Sequence, residues 1–262
     1  MAYMQDEDLE FLGKCSDEEL EGLVNCLMYD KDGDIRFTEE LSSNKKYIRY
    51  QPKHSYYWQE IAAEVQCFGA NSLMTIARFG KGVSYREVLL DVCSHMKVKL
   101  TSDEKKLPVA KIEEKLILNV IEKAISKLSP EELELVAQEA DIKISALKDL
   151  TPQILMSTFL AVFNAGGFKS YQLTLILANA ILKAMIGRGL SFGGNIILTR
   201  SMSVLAGPIG WAISAIWLLI DIAGAAYRVT VPAVIQIAAL RSRFTNNIKP
   251  ALSHAKDGGI GL

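Results

Sequence analysis

Met202–Ile220 reads MSVLAGPIGWAISAIWLLI, nineteen consecutive residues without a charge. Length alone makes such a run a transmembrane candidate. Pro208 resets the helix, so the continuous piece is Pro208–Gly224, about 25 Å at 1.5 Å per residue against a hydrocarbon core of about 30 Å. Asp221 would sit inside it, at a cost of order 3 kcal/mol. Gly207, Gly210, Ser214 and Ala215 lower the insertion drive further, and the span is marginal. Ala206, Gly210 and Ser214 recur every four residues, with Trp211 and Ala215 beside them. That small-residue edge permits close helix contact in a bilayer and equally tight packing in a core. Trp211 and Trp217 read as interfacial anchors or large core residues, the core reading being preferred for isolated tryptophans. Asp221 and Arg228 are seven apart, on one face of a persisting helix, and would form an internal ion pair. Alternatively Gly224 ends the helix and Arg228 points to water. An unpaired Asp221 in these surroundings would be costly.

The charge pattern extends this contrast along the chain. Across Thr151–Leu240 the charged residues are Lys169, Lys183, Arg188, Arg200, Asp221 and Arg228, far below the usual quarter. Residues 1–150 carry 28 acidic and 20 basic side chains, whereas residues 151–262 carry 2 and 9. The overall net charge of −1 conceals this polarity. At 262 residues, half of them hydrophobic, the chain can build one large domain or two modest ones. That composition excludes a disordered or collagen-like chain. Four scattered cysteines exclude a disulfide scaffold and fit a reducing compartment. The acidic opening MAYMQDEDLEF has no basic region followed by an apolar run, so no secretory signal is expected.

Helix signals run through the first half. Ser16 with Glu19, and Ser84 with Glu87, have capping-box spacing before Asp17–Tyr29 and Tyr85–Lys97. Leu20, Leu23, Val24 and Leu27 line one face of the former; Val88, Leu89, Val92 and Met96 line the latter. Pro108 suits the first turn of a helix reaching Leu128, Ser129-Pro130-Glu131-Glu132 opens the next, and Thr151-Pro152 another. Gly166-Gly167 separates Gln153–Ala165 from Ser170–Ile186, and a glycine-rich run follows from Gly187 to Gly194. Gly207-Pro208 and Pro232 introduce the last helices, the final one spanning Ala233–Phe244. Period-2 alternation is confined to a short ribbon around Ile35–Tyr50. The fold class is mostly α, a multi-helix bundle of short antiparallel helices with a buried or membrane-active apolar C-terminal hairpin. The expected divisions are an acidic helical region with a polar turn (1–50), a helical domain (51–150), an apolar glycine-punctuated module (151–245) and a flexible tail (246–262).

Candidate chemistry is sparse. Asp30-Lys31-Asp32-Gly33-Asp34 resembles a calcium loop, but position 6 is Ile35 and position 12 is Leu41, so a polar turn with Gly33 at positive φ is expected. Gly187-x-Gly189-x-x-x-Gly193 has one residue too many for a dinucleotide fingerprint and follows a helix, not a strand. Gly80-Lys81 has Thr75 where a phosphate loop needs glycine. His54, His95 and His254 lie outside any zinc spacing, and Cys93 and His95 fall on different helix faces. Cys67 reads as an ordinary buried thiol. No G-x-S-x-G elbow and no basic stripe for nucleic acid is present. No metal, cofactor or catalytic residue is therefore assigned.

Several stretches carry a family resemblance: Asp8–Leu12 (DLEFL), Trp58–Gly69 (WQEIAAEVQCFG), Tyr85–Val92 (YREVLLDV) and above all Ala226–Ala238 (AYRVTVPAVIQIA). Together they resemble the YaaW-like family of uncharacterised bacterial proteins. The likeness runs through most of the chain and thins around residues 100–190. It implies a bacterial cytoplasmic or membrane-associated protein without an assigned catalytic site. The middle of the family is similar to chaperones that assist ubiquinol–cytochrome c reductase assembly.

The first functional expectation is a non-enzymatic helical protein whose Met202–Leu240 module engages a membrane surface or a hydrophobic protein partner. Gly207, Pro208, Gly210, Trp211, Ser214, Trp217, Asp221, Gly224, Tyr227, Arg228 and Pro232 would make the contact and the internal packing. The chain would be cytoplasmic, peripheral to or inserted in the inner membrane, with self-association open and no nucleic-acid partner. The alternative is a chaperone-like assembly factor or adaptor with the apolar helices as its core and an acidic N-terminal face for its client. A third reading, an enzyme, requires a deep polar pocket joining His54 or His95 to carboxylates.

Overall fold

Local capping sets the first helix. Ser16 Oγ accepts from Glu19 N at 3.3 Å while Ser16 N donates to Glu19 Oε2 at 2.9 Å, opening α1 (Asp17–Met28). In this computed structural model, which describes residues 2–30, 32–36, 39–73, 82–139, 150–167, 170–175, 178–179 and 227–246, the same device recurs. Ser84 and Glu87 open α4 (Tyr85–His95), and Ser129 and Glu132 exchange equivalent bonds before α6 (Pro130–Glu139). Thr151 caps α7 (Pro152–Ala165) through Ile154 N, and Gly166 and Gly167 end it at φ +65° and +74°. α5 (Val109–Ile125) begins directly after Pro108. α4 stops two residues before the expected Lys97, because Lys97 itself turns left-handed (φ +57°). The Val98 and Lys97 amides then return to the carbonyls of Cys93 and Ser94, satisfying the helix end.

Two expectations are corrected here. Among the described residues the ribbon around Ile35–Tyr50 is absent: an isolated bridge joins Tyr29 and Ile35, and a 3-10 turn (Leu41–Ser43) leads into the short helix α2 (Lys45–Tyr50). Asn44 decides this, since its side chain accepts from Lys46 N at 2.8 Å and caps a helix where alternation suggested a strand. A second 3-10 turn (His54–Tyr57) then feeds α3 (Trp58–Leu73). The last helix, α8, spans Tyr227–Thr245 with Pro232 inside it, so Pro232 does not open the helix. An interior proline costs about 3 kcal/mol. Burial of Val229, Val231, Val234, Ile235, Ile237 and Leu240 returns about 1.5–3 kcal/mol each and outweighs that.

α8 is the axis of the molecule. Its residues Val229–Leu240 are buried without interruption, and it packs against α1, α3, α4 and α5. A helix apolar all round must be enclosed all round. α1 and α4 supply the enclosure with the stripes expected from sequence, including Leu20, Leu23, Val88 and Leu89, and α5 adds Ile112 and Leu116. Among the described residues, no helix is long and apolar enough to cross a membrane. The membrane-active hairpin therefore finds no support in them, and Val229–Leu240 of the apolar module is protein core. Gly207, Pro208, Gly210, Trp211, Ser214, Trp217, Asp221 and Gly224 lie outside the described residues, as does the tail beyond Asn246.

Candidate functional site

The core helix ends in two arginines, and both find carboxylates far away in sequence. Arg241 Nε lies 3.0 Å from each oxygen of Glu113 on α5, which is itself buried. Tyr85 Oη donates to Glu113 Oε1 at 2.6 Å, and Arg241 Nη2 donates to the Asp8 carbonyl at 2.5 Å. Asp6 completes the cluster by accepting from Tyr85 N at 2.6 Å and Asp8 N at 3.0 Å. The guanidinium lies over Phe11, 4.4 Å from the ring centroid. One helix terminus thus pins the N-terminal segment to α4 and α5. Burial pushes the Glu113 carboxyl up, Arg241 opposes that, and burial remains dominant. Tyr85 is pushed well up by burial and then by Glu113. Next along α8, Arg243 pairs with Glu19 at 2.8 Å.

A groove of about 450 Å³ opens beside this cluster, between α5, the end of α7 and the end of α8. Glu113, Arg241, Ser242, Asn246 and the Gly166-Gly167 turn form its wall. Asn246 Oδ1 accepts from Gly167 N at 2.6 Å and its Nδ2 donates to the Ser242 carbonyl at 2.9 Å. Backbone and amide groups of this kind can hold a polar ligand. Its described lining includes neither histidine nor cysteine.

The residues singled out from sequence are dispersed. His54 is buried with Nδ1 2.5 Å from Tyr57 Oη, and burial pushes its imidazole down against the pull of Asp17, Glu21 and Glu18. His95 stacks on Tyr227 at 3.7 Å between ring centroids, and Tyr227 donates to Asp91 Oδ1 at 3.2 Å. Neither histidine reaches the groove. Asp30 Oδ1 accepts from Asp32 N and Asp34 N, and Gly33 has φ +91°, the polar turn expected there. Tyr227 is half-buried, Arg228 exposed and Pro232 buried. Cys93 is buried and Cys67 half-buried.

Sequence reading missed Glu113, Arg241, Asp6 and Tyr85. The available signal was a carboxylate within the apolar stripe of α5 (Val109, Ile112, Glu113, Leu116) and paired arginines closing an apolar helix with no local acid. It also missed Glu64 on α3, which is 1% exposed. Glu64 Oε1 accepts from Glu40 N at 3.1 Å, whereas Oε2 has no hydrogen-bond partner. Burial, reinforced by Glu39 and Glu40, pushes this carboxyl up to about 7. A carboxyl raised in the native state holds its proton longer than in the unfolded chain, so its contribution to stability falls as pH rises from about 4.5 to about 7. Urea midpoints measured between pH 5 and pH 8 should decline across that window and flatten in Glu64→Gln. An equal slope in the variant refutes the assignment.

These helices and their polar pins make the described residues a mostly α-helical core, and the family model described as ubiquinol-cytochrome C chaperone matches residues 53–235. A second model, a domain of unknown function (DUF3944), matches residues 3–37. A UPF0174 protein of Helicobacter pylori strain J99 is 42% identical over 241 residues, covering 92% of this chain and 93% of that protein. The UPF0174 protein YaaW of Escherichia coli K12 is 33% identical over 242 residues, covering 91% and 95%. The chain belongs to the UPF0174 family. No solved structure matches it.

Proposed function

We propose that this protein is a non-enzymatic, chaperone-like assembly factor or adaptor, built around α8 and presenting an acidic N-terminal face to a client. The carrying observation is the burial of Val229–Leu240 inside α1, α3, α4 and α5. The most continuously buried helix described is used as scaffold, which leaves recognition to the other helices and their surface. The chaperone model over residues 53–235 favours the same reading. The client face consists of exposed Glu7, Glu10, Glu18 and Glu21, which suit a basic segment. Exposed charges of one sign act chiefly on encounter rate and partner choice.

The test is affinity capture of the full-length protein from its native host with cross-linking, beside a variant carrying lysine at those four positions. Loss of a defined client in the folded variant, with weakening of wild-type capture at high salt, is the expected result. Client recovery that ignores both charge reversal and salt removes the acidic face from the account.

A further inference from the structure

The surface around α2 has a different chemistry from its surroundings. Residues 41–56 contain Lys45, Lys46, Arg49 and Lys53 and no acid, in a half of the chain that is otherwise strongly acidic. Lys46 is held by Glu60 at 2.7 Å. Lys45, Arg49 and Lys53 are exposed. Among them stand two of the most exposed large apolar side chains described, Ile48 at 60% and Tyr56 at 61%. Tyr56 stacks on Tyr50 with centroids 5.3 Å apart, Arg49 lies 5.2 Å from the Tyr50 centroid and Lys53 5.8 Å from that of Tyr56. Since α2 packs on the two 3-10 turns that flank it, its outer side remains open.

We propose that this patch is a docking surface for an anionic lipid bilayer. Cations ringing protruding apolar tips match an interface where headgroups carry negative charge and the acyl boundary accepts Ile48 and Tyr56. Tyrosine suits that depth because one end of its ring is apolar and the other wet. Single-stranded nucleic acid fits less well. The two tyrosine rings already stack on each other and carry cations, and an aliphatic Ile48 gains nothing from bases. Charge complementarity must be local, because the chain as a whole is near neutral and Glu18 and Glu21 of α1 lie close to His54. The inference is independent of the client-binding reading, and either can fail alone.

The experiment is flotation of the full-length protein with vesicles of phosphatidylcholine alone or with 30% phosphatidylglycerol. The expected result is binding to the anionic vesicles only, released at 0.5 M salt. Lys45→Gln/Arg49→Gln/Lys53→Gln should lower the partition coefficient about a hundredfold, from roughly a fivefold factor per cation near the surface. Ile48→Ser/Tyr56→Ser should weaken binding with the salt dependence retained. Circular dichroism of each variant checks that the fold persists. Equal binding to both vesicle types, unchanged binding of the triple variant, or polyuridylate binding through these residues without vesicle binding would each overturn the proposal.

Discussion

Arg241→Ala is expected to cost about 3–5 kcal/mol of folding stability, the range for breaking a buried ion pair by removing one partner. For a chain of this size that corresponds to a fall of about 10 °C in Tm. The reason lies in what remains. Glu113 is buried on α5, and without the guanidinium it keeps Tyr85 as its hydrogen-bond donor but has no opposite charge. The Asp8 carbonyl and the face of Phe11 lose their partner in the same step. The sign of the pH dependence follows. Burial already holds the Glu113 proton above the usual carboxylate range, and loss of Arg241 raises it further. The unfolded state is common to both proteins, so the penalty grows as pH rises past the already raised native carboxyl of the wild type and shrinks in acid, where both native carboxyls are neutral. Arg241→Met/Glu113→Leu should recover most of the loss, because an apolar pair avoids the desolvation of both ions. Thermal melts of the three proteins at pH 5 and pH 8 decide the matter. A single variant within 1 kcal/mol of wild type at both pH values would show that the cluster does not hold the N-terminal segment.

What was legible in the sequence shares one physical property: the partners are no more than four residues apart. Ser16 with Glu19 and Ser84 with Glu87 are such pairs, and both capping boxes form where the spacing predicts them; Thr151-Pro152, adjacent in sequence, opens α7 as expected. Lys97 shows the limit, because a left-handed lysine leaves no trace in composition and the helix was read two residues too long. In α2, the residues KKYIRY are rich in the tyrosine and isoleucine that favour strands, and the Asn44 cap starts a helix instead. α3 carries buried Glu64 and Gln66 within its apolar face, which blurs its period; Gln66 bonds both polar backbone atoms of Met4, sixty-two positions away. The clamp residues are worse placed still, with Glu113 and Arg241 separated by 128 positions. Composition announced that the final third had to be hidden. It did not say by what, because a bilayer and a shell of amphipathic helices select the same side chains. For Tyr227–Leu240 the shell is protein.

The contact between α1 and α8 gives the last expectation, and it runs against helix propensity. Gly22 sits mid-helix in α1, where alanine would ordinarily add about 1 kcal/mol. A Cβ at Gly22 would, however, fall 2.3 Å from Gln236 Nε2, within a fully buried part of α8. Gly22→Ala should therefore destabilise by about 1–3 kcal/mol through overpacking, despite the better helix former. Gln236 holds its own penalty, since neither its Nε2 nor its Oε1 has a hydrogen-bond partner. Gln236→Met keeps the length of the side chain and removes two unsatisfied polar atoms, so it should stabilise by about 1–3 kcal/mol. The pair must be coupled: in Gly22→Ala/Gln236→Ala the new methyl enters space the amide has left, and the alanine at position 22 becomes neutral or favourable. Urea denaturation of the four proteins in that cycle measures the coupling, expected at about 1–3 kcal/mol. Additive effects would mean that α1 and α8 do not approach each other through this glycine, and the enclosure of α8 by α1 would then need another contact to sustain it.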